Sequence, residues 1–187
     1  HNNIATLVAH FGEQKQHALV IGDVMMDRYL MGEVNRISPE APVPVVLIKS
    51  EQQRAGGAAN VAANLALLGI DTKMIGLIGK DNEGERLLAA MSDYGIDTHA
   101  MITTPSRPTI AKTRILGGHQ QMLRLDQEIT TALSATEVAD VMQAIQTALQ
   151  QQPALVILSD YAKGLLTEQV CQYVIRYGRE YQIPVLV

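Results

Sequence analysis

The segment GGAANVAANLALLGIDTKMIGLIG, Gly56–Gly79, decides the fold. Its alanine- and leucine-rich part predicts a helix that begins after the glycine pair Gly56-Gly57. Gly69 is placed to end this helix, because glycine accepts the left-handed backbone that commonly follows a helix. The run Lys73–Ile78 then predicts a buried strand. The segment therefore predicts a helix followed by a strand, the repeating unit of an α/β fold.

The same alternation continues in both directions along the chain. Short apolar runs predict buried strands over residues 18–22, 154–158 and 183–187, and a further strand is predicted over 98–102. Helices are predicted over residues 4–16, 83–94, 134–151 and 167–181, the third with a capping box of Ser134 and Glu137. Strands that alternate with helices pair in parallel, with helices on both faces of the sheet. The predicted fold class is therefore α/β, with a mostly parallel sheet in one domain over residues 1–187.

Two segments interrupt this alternation. Residues 29–49 are divided into short polar and apolar pieces by Pro39, Pro42 and Pro44, a pattern typical of edge strands. Residues 107–126 contain two strand-like runs on either side of Gly117-Gly118, the spacing of a hairpin with a Gly-Gly turn. The sequence therefore predicts two pairs of strands outside the main sheet.

Composition limits the function classes. With 187 residues, the chain is long enough for one core and too short to presume two. A net charge of −4 provides no basic surface for many nucleic-acid phosphates. The single cysteine, Cys171, excludes an intrachain disulfide framework and a multi-cysteine metal site. No run approaches the ~18 apolar residues that span a bilayer. We expect a cytoplasmic protein that binds neither nucleic acid nor membrane.

Several familiar nucleotide and catalytic motifs are missing. Gly79–Gly84 has the glycine spacing of a P-loop, but Glu85 follows where that motif has lysine and a hydroxyl residue. The sequence has no GxGxxG, HExxH or GxSxG. The first absence disfavours a nicotinamide-binding domain, because such domains need that glycine spacing after a strand. The candidate chemistry must therefore lie in other polar residues.

Several polar residues follow predicted strands, where open α/β sheets bind ligands. Asp23 and Asp27 follow the first buried strand, and a carboxylate accepts strong hydrogen bonds from sugar hydroxyls. Gly56 and Gly57 would let a ligand approach the backbone, and Asn60 offers a donor and an acceptor. The alternative interpretations are turn or solvated aspartates and a helix start built from small residues for tight packing.

Two further sets carry charge. Asp160 and Lys163 follow the strand over residues 154–158 and offer the pair of charges suited to a phosphorylated ligand, or else only a surface ion pair of little energetic value. Lys112, Arg114 and Arg124 alternate with apolar residues in the predicted hairpin. Cations on one face of that hairpin would hold an anionic group, or would form the charged outer face of an edge hairpin.

Four motifs together resemble those of the ribokinase-like (PfkB) carbohydrate kinases, and within that family the kinase domains of the bacterial bifunctional heptose 7-phosphate kinase/heptose 1-phosphate adenylyltransferases. They are GDVMMDRY, RISPEAPVPVV, GGAANVAANLALLG and LSDYAKG, and the likeness runs from Ala18 to Val187. It implies a ribokinase-like fold that uses ATP and Mg²⁺. The implied reaction transfers the γ-phosphoryl group to the anomeric hydroxyl of D-glycero-β-D-manno-heptose 7-phosphate, in ADP-heptose synthesis for lipopolysaccharide.

The resemblance also implies roles for individual residues and for the lid. The strands over residues 29–49 and 107–126 would form a small β lid. This lid would close over the sugar and pair with the lid of a second subunit, giving a homodimer. The implied substrate-binding residues are Asp27 for sugar hydroxyls, Gly56 and Gly57 for backbone approach, Asn60 for orientation, Lys112 and Arg124 for the substrate phosphate, and Asp160 with Lys163 near the reacting groups.

One family motif is missing from the sequence. The family's catalytic base lies in a glycine-rich GAGD segment whose backbone amides form an anion hole, and no such segment occurs here. We therefore expect no catalytic or metal-binding residue in this chain, a base beyond Val187, and a chain that is the N-terminal, substrate-binding part of a kinase domain. The alternatives are a PfkB-type kinase of another sugar and a non-catalytic sugar-binding or dimerisation fragment.

Overall fold

The computed structural model describes residues His17–Val187, so the helix predicted over residues 4–16 lies outside the described part. In chain order the elements are β1 His17–Gly22, β2 Val24–Ile37, β3 Pro44–Gly57, α1 Ala58–Leu67, β4 Asp71–Ile75, β5 Leu77–Gly79, α2 Asn82–Asp93, β6 Ile102–Thr104, β7 Ala111–Gly117, β8 Gln120–Gln127, α3 Ala135–Leu149, β9 Leu155–Ser159, α4 Glu168–Tyr181 and β10 Val185–Leu186.

The main sheet has the strand order β10-β9-β1-β4, and all its pairings are parallel. Side chains of a strand alternate between the two faces, and the core divides accordingly. Val20 of β1 packs in a cluster with the alanines of α1, whereas Leu19 and Ile21 pack in a second cluster with α3 and α4. The prediction of a parallel sheet covered by helices on both faces is confirmed.

The lid is a second sheet with the order β3-β2-β7-β8. Its first two strands extend beyond the predicted segment 29–49 at both ends: β2 begins one residue after β1, and β3 runs directly into α1. The other two strands lie within residues 111–127, close to the predicted segment 107–126. The predicted position of the hairpin turn, Gly117-Gly118, is wrong by one residue. Gly117 still pairs with Gln120, so the turn consists of Gly118 and His119, and Gly118 has a φ of 62°.

Two predicted strands are also corrected. The strand predicted over 73–78 divides at Gly76: β4 belongs to the main sheet, and β5 pairs with β6 in a separate sheet. A β-carbon on Gly76 would press on the side chain of Val24, so this crossing requires glycine. The strand predicted over 98–102 forms later, at β6, after a turn in which the backbone N–H of Met101 donates to the carbonyl of Thr98 at 3.0 Å.

The helix boundaries agree with the prediction within a few residues. Gly69 follows α1 with a φ of 81°, as expected for a residue that ends a helix. The capping box at the start of α3 is complete: Ser134 accepts from the N–H of Glu137, whose carboxylate accepts from the N–H of Ser134. Thr167 caps α4. No helix within residues 17–187 is long and apolar enough to cross a lipid bilayer.

Candidate functional site

A cleft of about 460 Å³ lies between the lower half of the lid and the start of α1. A groove of similar volume, about 420 Å³, lies between residues 97–102 and α3, but it contains none of the predicted site residues. The cleft is lined by six of the eight predicted substrate-binding residues: Asp27, Gly56, Gly57, Asn60, Lys112 and Arg124.

The register of the lid strands explains why these residues meet. Directly paired residues on neighbouring strands share a face of a sheet, as do residues two apart on one strand. One row across the lid is formed by Arg54, Asp27, Lys112 and Asp126. The next row on the same face contains Gln52, Tyr29, Arg114 and Arg124. The floor of the cleft is therefore one face of the lid, on which Asp27 lies between Arg54 and Lys112.

Asp27 is held by an ion pair. The guanidinium of Arg114 donates to its carboxylate, and this hydrogen bond is the main reason that the pKa of Arg114 is raised. A β-carbon on Gly56 would overlap the other carboxylate oxygen. Gly56 thus leaves room for the Asp27 side chain, and the role of Gly56 in letting a ligand approach the backbone stays a prediction.

Gly57 and Asn60 lie where the lid joins α1. Gly57 has a φ of 59°, and a β-carbon there would overlap the carbonyl oxygen of Asp23. The conformation and the close approach both require glycine, because left-handed backbone is unfavourable for other residues. Asn60 is exposed on the first turns of α1 at the edge of the cleft, where its amide is free to meet a ligand.

Lys112 and Arg124 both contact the same acidic residue. Arg124 donates to the two carboxylate oxygens of Asp126 at 2.8 and 3.0 Å, and Lys112 lies 3.5 Å from it. The hydrogen bond from Arg124 is the main reason that the pKa of Asp126 is lowered. Lys112 is also 4.0 Å from Glu128. Both predicted phosphate-binding cations therefore lie in the cleft already paired with carboxylates.

Asp160 and Lys163 are not among the residues that line the cleft. The ammonium group of Lys163 pairs with Glu128 at 2.9 Å, and exposed Asp160 accepts from the N–H of Ala162 within its own turn at 2.7 Å. Between them, Tyr161 does line the cleft. The roles given to Asp160 and Lys163 stay predictions.

Asp23 anchors that turn. Its carboxylate is 4% exposed and accepts from three backbone N–H groups. Those of Tyr161 and Lys163 donate to Oδ2 at 3.0 Å, and that of Leu165 donates to Oδ1 at 3.3 Å. Hydrogen bonds from N–H donors to a buried, ionised carboxylate are stronger than those between neutral groups. Asp23 therefore fixes the turn that follows β9. These contacts agree with the alternative interpretation of Asp23 as a structural turn residue.

The P-loop-like segment Gly79–Gly84 has a packing role. Asp81 caps α2 by accepting from the N–H of Gly84 at 2.8 Å, and it also accepts from the N–H and hydroxyl of Thr109 at 2.8 and 2.7 Å. Burial acts to raise the pKa of Asp81, but hydrogen bonds from Thr109 outweigh burial and lower it. A β-carbon on either glycine would overlap Thr109 or its neighbours. The glycines therefore let the segment before β7 pack closely.

Glu137 holds the other end of the connection between β6 and β7. Its side chain accepts from Ser106 at 2.6 Å, from Arg107 at 3.3 Å and from Thr104 at 3.1 Å. Burial acts to raise the pKa of Glu137, but hydrogen bonds from Ser106, Ser134 and Thr104 lower it to about 2. Together Asp81 and Glu137 fix the root of β7, the strand that carries two cations of the cleft.

The sequence analysis did not single out two polar residues of the cleft, Arg54 and Tyr29. Arg114 was named there only as one of three hairpin cations, and it lines the cleft as well. The guanidinium carbons of Arg54 and Arg114 lie 5.9 and 5.2 Å from the centre of the Tyr29 ring. The period-two alternation from Asp27 to Tyr29 was the available signal, but the pairing partners on β3 and β7 are set by contacts distant in sequence.

Comparisons with known proteins agree with this architecture. Residues 15–173 match the model of the family described as pfkB family carbohydrate kinase. The chain is 59% identical over 182 residues to "Bifunctional protein HldE" of Methylobacillus flagellatus, and 50% identical over 175 residues to the protein of that name from Magnetococcus marinus. These alignments cover 97% and 92% of this chain but only 37% and 36% of those proteins, so the chain spans a little over a third of the length of these relatives.

Solved structures show the same fold. A carbohydrate kinase from Agrobacterium tumefaciens aligns with a TM-score of 0.69 at 22% identity, covering 91% of this chain and 52% of that one. Arabidopsis thaliana ribokinase, solved with ribose and ATP, aligns with a TM-score of 0.62 at 19% identity and the same coverage. The fold is therefore ribokinase-like, as predicted, and the chain belongs to the pfkB family of carbohydrate kinases.

Proposed function

We propose that the full-length protein is an ATP-dependent kinase that phosphorylates the anomeric hydroxyl of D-glycero-β-D-manno-heptose 7-phosphate, for ADP-heptose and lipopolysaccharide synthesis. Residues 17–187 form the side that binds this acceptor. The observation that carries the proposal is the lid cleft, where one carboxylate, Asp27, lies among four cations. A carboxylate accepts hydrogen bonds from sugar hydroxyls, and arginine and lysine bind phosphate, so the cleft suits a sugar that already carries a phosphate.

The contribution of this chain to catalysis is to bind and orient the acceptor. Phosphoryl transfer depends on in-line placement of the acceptor hydroxyl and on neutralisation of phosphate charge. Asp27 and Asn60 would hold the sugar at the root of the lid, and the lid would shield it from water. ATP would supply the phosphoryl group, and Mg²⁺ would neutralise charge on its phosphates. Within residues 17–187, no group of three His, Cys, Asp or Glu is placed to hold a metal ion. We place the base, the nucleotide and the metal in sequence that follows Val187, as the family resemblance implies.

We further propose that the protein is a homodimer through the lid. Leu123 and Leu125 alternate with Arg124 along β8, so they lie on the face opposite the cleft, and they are 52% and 51% exposed. Val34 and Ile48 are exposed on the neighbouring lid strands. An uncovered apolar sheet face of this kind is typical of an interface.

Sedimentation velocity tests the dimer. Leu125→Glu should convert the full-length protein to monomers because it places a charge on the apolar face. The control is Leu67→Glu: Leu67 is an exposed residue of α1 outside the lid, so this substitution should leave the assembly unchanged. Monomeric wild-type protein would contradict the proposal.

A coupled ADP-release assay on the full-length protein tests the kinase activity. We expect turnover with heptose 7-phosphate and Mg-ATP and much slower turnover with unphosphorylated sugars. Faster turnover of another sugar phosphate would favour a different PfkB-type kinase, and absence of turnover with every sugar would favour the non-catalytic alternative. We also propose that the reaction takes place in the cytoplasm, where ATP is available and a free thiol such as that of Cys171 stays reduced.

A further inference from the structure

Three of the four cations that line the cleft are committed to carboxylates. Arg114 is bound to Asp27, and Arg124 and Lys112 are bound to Asp126, the latter at 3.5 Å. A phosphate that binds any of these three must compete with the carboxylate that the cation already contacts, and the two anions repel each other at short range. Their positive charge is therefore largely neutralised before a ligand arrives.

Arg54 differs from the other three. It forms no salt bridge with any residue in the described range 17–187, and its only side-chain hydrogen bond is to the neutral amide of Gln52 at 3.4 Å. Its guanidinium lies over the ring of Tyr29, 5.9 Å from the ring centre. Stacking on an aromatic ring orients a guanidinium and leaves its N–H groups free for an anion. Arg54 is thus exposed, unneutralised and partly pre-oriented.

The position of Arg54 relative to Asp27 suits a sugar phosphate. The two residues are directly paired across β3 and β2, and neighbouring strands lie roughly 4.8 Å apart. Lys112 flanks Asp27 on the other side, but it is already held between Asp126 and Glu128. A ligand whose hydroxyls bind Asp27 can therefore place an anionic group on Arg54 without breaking an existing ion pair.

We propose that Arg54 is the primary contact for the phosphate monoester of the acceptor, ahead of Lys112 and Arg124. This inference rests on the proposed function, because it requires a phosphorylated sugar in the cleft. The planar guanidinium can donate two parallel hydrogen bonds to the phosphate oxygens, which a lysine cannot match. Arg54 then determines the preference for a phosphorylated over an unphosphorylated acceptor.

The test is isothermal titration of two ligands into the full-length protein: heptose 7-phosphate and the same heptose without its phosphate. The variants are Arg54→Gln, Arg54→Lys and the matched control Arg36→Gln. Arg36 is an exposed lid arginine without a salt bridge in residues 17–187, and it does not line the cleft. Loss of a charged hydrogen-bond donor should weaken heptose 7-phosphate binding roughly 10- to 100-fold in Arg54→Gln. Binding of the unphosphorylated heptose should change less than about twofold. Arg54→Lys should lie between Arg54→Gln and wild type, and Arg36→Gln should match wild type.

Two results would overturn the inference while the proposed function stands. In the first, wild-type protein prefers the phosphorylated sugar and Arg54→Gln retains that preference. In the second, Arg54→Gln weakens both ligands equally, which indicates a general distortion of the cleft. If wild-type protein binds the two sugars equally, the proposed acceptor is wrong and the inference is overturned with it.

Discussion

The buried carboxylate of Asp23 should contribute more to stability than that of Asp160 in the turn it anchors, and Asp23→Asn tests this. The substitution keeps the shape but leaves one oxygen to accept the three N–H groups of residues 161–165. The best orientation keeps the two bonds made by Oδ2 and turns the new amide N–H₂ toward the N–H of Leu165. Loss of a bond to a buried donor costs about 1–3 kcal/mol, and loss of charge from the other two adds about 1 kcal/mol. We expect the free energy of unfolding to fall by roughly 2–4 kcal/mol.

The assay is urea denaturation of the full-length protein, followed by circular dichroism, with Asp160→Asn as the matched control. Asp160 lies in the same turn, is exposed and accepts only one local hydrogen bond, from Ala162. Its substitution should cost less than about 1 kcal/mol. Native-state hydrogen exchange should be faster at the amide of Leu165, whose hydrogen bond is lost, in Asp23→Asn than in the control. If the two variants unfold at the same urea concentration, Asp23 is not the anchor of this turn.

Two further predictions concern glycine and pH. Gly57→Ala should lower the free energy of unfolding by at least about 2 kcal/mol, because the left-handed backbone and the overlap with Asp23 are both unfavourable for alanine. Gly69 also has a positive φ but has open space around it, so Gly69→Ala should cost only about 1 kcal/mol in the same urea titration. Equal losses in the two variants would contradict the overlap argument. The pKa of Glu137 is about 2 in the folded protein, against an ordinary 4.5, so the unfolded state binds more protons between these two pH values. The Glu137 carboxylate therefore contributes about 3 kcal/mol to the free energy of unfolding above pH 4.5, and this contribution is lost as the pH falls toward 2. The urea midpoint of wild type should therefore fall more steeply between pH 5 and about pH 3 than that of Glu137→Gln, and parallel curves would show that Glu137 does not carry this dependence.

The local features of the fold were predictable from sequence because short-range chemistry determines them. The capping box at Ser134, the cap at Thr167 and the glycine after α1 all follow from residues within a few positions of one another. The apolar runs likewise identified β1 and β9 as buried strands, and the alternation with helices predicted that such strands pair in parallel. These features gave the α/β class before any tertiary contact was known.

The errors arose where distant segments meet. The predicted strand over 73–78 divides at Gly76, which packs against Val24, a residue far away in sequence. The spacing of Gly79 and Gly84 resembled an incomplete phosphate loop. Their packing role was not visible because Thr109, against which both glycines pack, follows 25 residues or more later. Spacing within one segment cannot reveal which other segment will pack on it.

The candidate site was predicted in composition more accurately than in arrangement. Asp27, Asn60, Lys112 and Arg124 all line one cleft, as the family resemblance implied. The role of Arg54 depends on the register between β2 and β3, which places it beside Asp27, and on the ion pairs that occupy the other cations. Neither property is visible in a linear pattern.

The most direct test of the acceptor cleft is isothermal titration of heptose 7-phosphate, and separately of Mg-ATP, into full-length wild-type protein and Asp27→Ala. We predict that wild type binds both ligands. The variant should bind Mg-ATP as tightly as wild type but lose at least roughly tenfold in affinity for heptose 7-phosphate, because a charged acceptor of sugar hydroxyls is removed. Unchanged affinity for heptose 7-phosphate in Asp27→Ala would show that the acceptor does not bind in this cleft.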